Sequence, residues 1–296
     1  MQLQFPDSVL DLSTTRVMGV LNVTPDSFSD GGLYTAHEAA VEHALTMLDE
    51  GADIIDIGGE STRPGAQPVS AAQELDRIIG VIEALRKETG APLSVDTSKA
   101  EVMAAALTAG ASMLNDVRAL REPGALAAAA QSGAPVCLMH MQGEPRTMQS
   151  NPGYADVVTD VAGFLLERAV ACEAEGVAAG QIVLDPGFGF GKSLEHNIAL
   201  LTRLELLLDT GYPILVGMSR KSMIPAIMAS AGIAAAPDTA AQSAALKARD
   251  RLGGSVTLAL YAAGKGAHIV RVHDVRETVE ALTIQAALET AGAEKE

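Results

Sequence analysis

The stretch Arg16-Val17-Met18-Gly19-Val20-Leu21-Asn22-Val23-Thr24-Pro25-Asp26-Ser27-Phe28 decides the fold. Its first eight residues read as a buried strand. The residues from Thr24 onward do not form the Gly-rich turn that a doubly wound dinucleotide-binding sheet carries after its first strand. Downstream, the strand-then-helix unit recurs. Strands are predicted at residues 16–23, 53–58, 93–97, 112–116, 135–139, 181–185, 213–218 and 268–273. Helical patterns occupy 36–50, 71–89, 101–109 and 154–175, and a further helix is expected at 253–263. Gly51, Gly90, Gly110, Gly133, Gly176 and Gly211 stand where a helix would end. Such alternation means parallel pairing with helical crossovers. Eight units in 296 residues predict a single-domain (β/α)8 TIM barrel over residues 1–296. The residues before Arg16 would form a short N-terminal cap over its bottom. A doubly wound open sheet is the alternative. The connection after the seventh strand, residues 225–250, is long for a compact α/β unit, where connections run about 2–6 residues outside their helix. Pro225 suits a first helical turn, Gly232 and Pro237 interrupt it, and a second short helix could start near Asp238. This segment is expected to be an extension on the outer rim.

Composition narrows the function. The chain has 48 % hydrophobic and 20 % charged residues, which excludes a disordered protein. With 21 Lys plus Arg against 37 Asp plus Glu, the net charge is −16. That argues against a nucleic-acid partner, because phosphate contacts need clustered cations, and against an anionic membrane surface. A few local cations can still serve a small anionic substrate. Aromatics are 3 %, with no Trp, so base-stacking platforms are not expected. No membrane span or export signal is visible. Cys137 and Cys172 read as small core residues of a reduced, cytoplasmic protein.

In a parallel barrel the active site lies at the C-terminal ends of the strands. The expected strands end at or carry Asn22, Asp56, Asp96, Asn115-Asp116, Met139-His140, Asp185, Ser219-Arg220-Lys221, and Arg271 with His273. Period-two alternation puts Leu215, Gly217, Ser219 and Lys221 on one face, and Ile269, Arg271 and His273 on another. Met113 shares a face with Asn115, and Val183 with Asp185. The polar ends of all eight strands are therefore expected to face one mouth above an apolar core. Any one of them alone reads equally well as a helix cap or a solvated turn. Asp96, Asn115 and Asp185 suit the edge of a polar heteroaromatic ring bearing amino and N–H groups. Lys221 can donate to a ring carbonyl or nitrogen, and Arg63, Arg271 and His273 suit phosphate. Gly187-Phe188-Gly189-Phe190-Gly191-Lys192 lacks the spacing of a Walker loop and reads as a flexible, aromatic-bearing substrate loop. No His/Cys/carboxylate spacing suggests a zinc site.

Two segments, Gly19-Val20-Leu21-Asn22-Val23-Thr24-Pro25-Asp26-Ser27-Phe28-Ser29-Asp30-Gly31-Gly32 and Asp56-Ile57-Gly58-Gly59-Glu60-Ser61-Thr62-Arg63-Pro64-Gly65, resemble the signature stretches of the bacterial dihydropteroate synthase family. The resemblance continues in order through Ser94–Thr97, Asn115-Asp116, Leu138–Gly143, Leu184–Lys192, Gly217–Ser222 and Arg271–Asp274. It covers essentially the whole chain. It implies an enzyme that joins 6-hydroxymethyl-7,8-dihydropterin diphosphate to 4-aminobenzoate, releasing diphosphate and making 7,8-dihydropteroate for folate synthesis. By resemblance, Asp96, Asn115, Met139, Asp185 and Lys221 hold the pterin, with Arg271 stacked on it. The diphosphate would meet Asn22, Thr62, Arg63, Arg271 and His273. Mg²⁺ is implied at Asn22, with diphosphate and water supplying most of its octahedron. Aminobenzoate would sit near Phe28, Thr62, Pro64, Phe190, Ser219 and Lys221, with Asp30 on a closing loop. Lys221, Asp96, Asp185 and Arg271 are the residues expected to carry the chemistry. Sulfonamides would compete as aminobenzoate mimics, and the family implies a homodimer. One alternative is a pterin-binding methyltransferase domain acting on methyltetrahydrofolate, which would not need the Ser61–Pro64 loop. Another is a non-catalytic pterin-binding homologue, which should have lost one of the polar strand ends.

Overall fold

The protein is described by a computed structural model over residues 1–24, 32–61, 67–144, 147–232 and 251–293. A short antiparallel hairpin comes first, β1 (Gln2–Gln4) with β2 (Val9–Asp11). The strand–helix units then run β3 (Arg16–Asn22), α1 (Gly32–Asp49), β4 (Ile54–Gly58), α2 (Ala71–Glu88), β5 (Leu93–Asp96), α3 (Ala100–Ala109), β6 (Met113–Asp116) and α4 (Ala125–Ser132). They continue with β7 (Val136–Met139), α5 (Val157–Ala174), β8 (Ile182–Asp185), α6 (Leu194–Thr202), α7 (Glu205–Leu208), β9 (Leu215–Val216) and α8 (Met223–Ser230). After residue 251 come α9 (Leu252–Gly264), β10 (Ile269–Val272) and α10 (Val275–Ala293).

Strands β3 to β10 pair in parallel, in the order β8-β7-β6-β5-β4-β3-β10-β9. A parallel bridge between Leu184 and Ile214 joins the two ends of that row, so the sheet closes on itself. All eight expected strands are present, and the open-sheet alternative is excluded. The helix expected at 253–263 is α9. The expectations for residues 233–250, including the helix near Asp238, lie outside the described residues.

The barrel interior has an apolar floor. Met18, Ile54, Met113, Cys137, Val183, Leu215 and Ile269, one from each of seven strands, pack with Leu3, Phe5 and Leu12 of the N-terminal segment. Leu3 and the seven strand residues are fully buried, because the hairpin covers the bottom end as expected. A second, larger core lies between the barrel wall and the helices. Helix starts follow ordinary capping chemistry: Ser70 caps α2 and exchanges bonds with Gln73, and Asp156 accepts from Thr159 N at α5. Gly110 and Gly133 end their helices with positive φ, as expected. Gly90 does not: α2 ends at Thr89 in an extended conformation, with Arg86 donating to the Thr89 and Ala91 carbonyls beyond.

Candidate active site

Above the apolar floor the same inward-facing positions turn polar. The register aligns Asn22 with Gly58, Gly58 with Asp96, and Asp96 with Asn115. Met139 aligns with Asp185 on the opposite wall. Two residues beyond Ile269 and on the same face, Arg271 reaches across the mouth. Its Nε donates to Asp56 Oδ2 at 2.6 Å and its terminal nitrogen to Asp96 Oδ2 at 3.0 Å. Asn115 Nδ2 donates to the same Asp56 oxygen at 2.9 Å. Asp56 is completely buried. Its side chain is the hub of this cluster, although its place on the second expected strand assigned it no role. The signal was available: Ile54, Asp56 and Gly58 alternate on β4 as Val183 and Asp185 do on β8.

On the other side of the mouth, Asp185 accepts from Gly187 N at 2.7 Å. Lys221 Nζ donates to Phe188 O at 2.5 Å and stands 4.6 Å from the centre of the Phe190 ring. Phe190 packs on an apolar shelf of Val117, Met139, Met141 and Met148. Ser219 Oγ lies 3.1 Å from His273 Nδ1 and accepts from His273 N at 3.2 Å. The structure thus brings together Asp96, Asn115, Met139, Asp185, Phe190, Ser219, Lys221, Arg271 and His273 at one end of the barrel, with Asn22 at the end of β3. Phe28, Asp30, Thr62, Arg63 and Pro64 lie outside the described residues.

Asp116 and His140 do not face the mouth, and Arg220 pairs instead with Asp274. Asp116 points away from the mouth, accepting from Ser98 Oγ, Arg118 N and Leu120 N, and so organises the loop after β6. Residues Ala119 and Leu120 of that loop hold positive φ. His140 is buried in a cage with Lys192. Lys192 Nζ lies 2.9 Å from His140 Nδ1 and donates to the carbonyls of Gly187 at 3.0 Å and Phe190 at 3.1 Å. A Cβ on Gly187 would stand 1.9 Å from His140 O, and one on Gly191 2.3 Å from Gln142 O. The 187–191 loop, expected to be flexible, is therefore clasped. Lys192 holds its carbonyls while the end of β7 lies against its glycines.

Burial sets the charges here. It raises the Asp96 carboxyl to about 7, with Arg271 pulling the other way and Asp56 adding to the rise. Burial also raises Asp185, against the attraction of Lys221. It lowers Lys221 to about 8, with Asp185 opposing, and lowers Lys192 to about 7. His140 falls to about 3, by burial and then by the Lys192 charge, so its ring is neutral and accepts from the amine. Burial opposes the Arg271 charge too, but Asp56 and Asp96 more than offset it and fix the guanidinium as a cation. The mouth therefore offers carboxyl and amide acceptors, cationic donors on both sides, and the Phe190 ring beside Lys221.

Asn22 contributes a single neutral amide oxygen. Among the described residues no group of three or more His, Cys, Asp or Glu could hold a metal ion. The Asn22 oxygen fits a hard cation that arrives with its own oxygen ligands.

A cavity of about 710 Å3 opens beside this mouth, lined by Ser61, Asp96, Ser98, Val117 and Arg118 among others. It belongs to the same rim.

Residues 18–273 match the family described as "Pterin binding enzyme". The dihydropteroate synthase of Escherichia coli K12 is 51 % identical over 275 residues, 93 % of this chain and 92 % of that one. A Yersinia pestis dihydropteroate synthase solved with a sulfonamide drug superposes with a TM-score of 0.88 at 50 % identity, covering 98 % of this chain and all of that one. A Xanthomonas albilineans dihydropteroate synthase in complex with 7,8-dihydropteroate gives 0.84 at 46 %, over 98 % of this chain and 99 % of that one. A closed eight-stranded parallel barrel, a mouth built of carboxylates, an amide and two cations, and identity near one half over almost the entire length agree: the chain belongs to the pterin-binding enzymes and, among them, to the dihydropteroate synthase family.

Proposed function

We propose that this chain condenses 6-hydroxymethyl-7,8-dihydropterin diphosphate with 4-aminobenzoate to give 7,8-dihydropteroate and diphosphate. The observation that carries the reading is the pairing of Asp96, Asn115 and Asp185 with Lys221 and Arg271 around one mouth. That pattern matches a ring edge rich in N–H donors and a carbonyl. The relative solved with 7,8-dihydropteroate supports the product, and the one solved with a sulfonamide supports an aminobenzoate subsite and sulfonamide inhibition.

In this reading Asp96, Asn115, Asp185 and Lys221 bind the pterin, Met139 packs on it, and Arg271 lies over its face. Departure of diphosphate leaves positive charge on the pterin methylene, spread into the ring. The buried carboxylates of Asp96 and Asp185 favour that charge in a site where water does not compete. Asn22, Thr62, Arg63, Arg271 and His273 hold the departing diphosphate. Mg²⁺, held through Asn22 when bound, would offset its negative charge. The arylamine, seated among Phe28, Thr62, Pro64, Phe190, Ser219 and Lys221 under the loop carrying Asp30, then attacks the methylene carbon and loses a proton. No covalent enzyme intermediate is required.

One domain spanning 1–296, a cytoplasmic location and a homodimer complete the proposal. The two cysteines are buried free thiols, and no described helix is long and apolar enough to cross a membrane. Ile284 and Leu288, one turn apart on α10, are 62 % and 70 % exposed, which suits contact with a second copy. Steady-state diphosphate release is the test. Release that needs both substrates and Mg²⁺ supports the reading. Methyl transfer from methyltetrahydrofolate, or pterin binding without turnover, refutes it.

A further inference from the structure

Arg271 and Asn115 sit on strands far apart in the chain, yet both donate to one oxygen of Asp56. Asp56 lies in the barrel wall beneath the mouth, completely buried, and its other oxygen has no hydrogen-bond partner among the described residues. A buried carboxylate that engages only one oxygen is costly unless what that oxygen holds is worth the desolvation. It holds the two groups that the proposed function assigns to the face and the edge of the pterin.

The second contact of Arg271 differs in kind. Its terminal nitrogen donates to Asp96 Oδ2 at 3.0 Å, an acceptor that the same reading gives to the pterin. Asp96 lies nearer the opening, with 11 % of its side chain exposed against none for Asp56. The guanidinium therefore bridges a buried carboxylate that only protein groups reach and an outer one that a ligand can reach. A ring taking Asp96 Oδ2 competes with the terminal nitrogen for that oxygen. The bond from Nε to Asp56, shorter and deeper, need not break.

We propose that Asp56 is a positioning residue for pterin recognition. It pivots Arg271 between Asp96 and the pterin face, and fixes the Asn115 amide with its donor side committed inward, leaving its carbonyl oxygen for a ring N–H. The inference rests on the proposed function and deepens it. Asp56 acts through Arg271 and Asn115 and does not itself touch substrate. Without Asp56, Arg271 has Asp96 as its one remaining carboxylate partner in this cluster and competes with the pterin for it.

The test is a double-mutant cycle on binding of 6-hydroxymethyl-7,8-dihydropterin diphosphate, measured by calorimetry on the full chain without aminobenzoate. The variants are Asp56→Asn, Arg271→Gln and the double variant. Wild-type binding tests the proposed function: no binding there overturns both readings, whereas binding isolates the inference. Asp56→Asn should weaken affinity about ten- to a hundredfold, as for loss of a charge-assisted bond. Arg271→Gln should weaken it similarly. The double variant should bind more tightly than the product of the two single losses predicts, because with Arg271 gone only the hold on Asn115 remains to be lost. A purely structural Asp56 would lower affinity by the same factor in both backgrounds, and that result overturns the proposal. So does wild-type affinity in Asp56→Asn. If Asp56→Asn fails to fold, a pterin complex of the wild-type protein decides. Arg271 still bonded to Asp56 and released from Asp96 supports the pivot, and Arg271 leaving Asp56 refutes it.

Discussion

The clasp on the 187–191 loop makes a single added methyl group informative. Gly187 has a φ of +68°, and a Cβ there would stand 1.9 Å from His140 O and 3.0 Å from His140 C. Gly187→Ala faces two costs. The left-handed backbone costs an L-residue about 1–2 kcal/mol. Forcing the loop off the end of β7 adds about 1–3 kcal/mol of overpacking strain. Together they amount to about 2–5 kcal/mol. At about 2–4 °C per kcal/mol for a large domain, the melting temperature should fall by roughly 4–20 °C. Whatever displacement relieves the clash also moves the Gly187 amide from Asp185 and the Phe188 carbonyl from Lys221. Activity should therefore fall at least about tenfold, or roughly 1.4 kcal/mol of barrier. Gly189→Ala is the internal control. Its φ is +79° and its nearest neighbour would be Lys221 Cδ at 3.4 Å, so only the backbone cost of about 1–2 kcal/mol applies. Gly191→Ala, at 2.3 Å from Gln142 O, should resemble Gly187→Ala. Thermal unfolding measured by circular dichroism, with diphosphate release as the activity assay, gives the ranking. A Gly187→Ala protein that melts and turns over like wild type, or a Gly189→Ala protein equally damaged, refutes the clasp.

Asp185→Ala should lose about ten- to a hundredfold in pterin affinity with the fold intact, the value of a charge-assisted bond in a buried site; unchanged affinity by calorimetry removes Asp185 from the site. Asp96, raised from 3.8 to about 7, keeps a proton in the folded state that the unfolded chain has released between those values. Its contribution therefore makes stability fall as pH rises through that window. Denaturant midpoints in Asp96→Asn should lack this slope, and an identical slope in wild type and variant would count against it. Aminobenzoate should bind weakly to the free protein and much better with diphosphate, Mg²⁺ and pterin present, and equal affinities with and without diphosphate would sink that ordering. Replacing residues 231–242 with a short Gly/Ser link should keep the catalytic rate within about tenfold; a folded dimer that loses several orders of magnitude would move the segment into the active site.

Period-two alternation and the spacing of turn residues were enough to read eight parallel strands and, on the fourth, sixth, seventh and eighth of them, which residues share a face, because the pleat leaves a side chain only two directions. Asp96, Asn115, Asp185, Lys221 and Arg271 were legible as candidates for that reason: each lies near the C-terminal end of an apolar strand, where a polar side chain needs an explanation. The hairpin cap was legible because the apolar floor of a barrel must be covered from below. Asp56 was visible in the sequence too, but nothing local distinguishes a carboxylate that binds substrate from one that binds another residue. Its partners lie 59 and 215 positions away in the chain, and only closure of the sheet brings β4, β6 and β10 around it. The 187–191 loop is the opposite case. Its three glycines suggest freedom when read along the chain. In space, Gly187 and Gly191 are the places where the backbone at the end of β7 leaves no room for a side chain, and Lys192, folded back on the carbonyls, does the holding. Local pattern fixes which way a side chain points. What it meets there depends on strand order and register, which arise only when all eight strands close on one another.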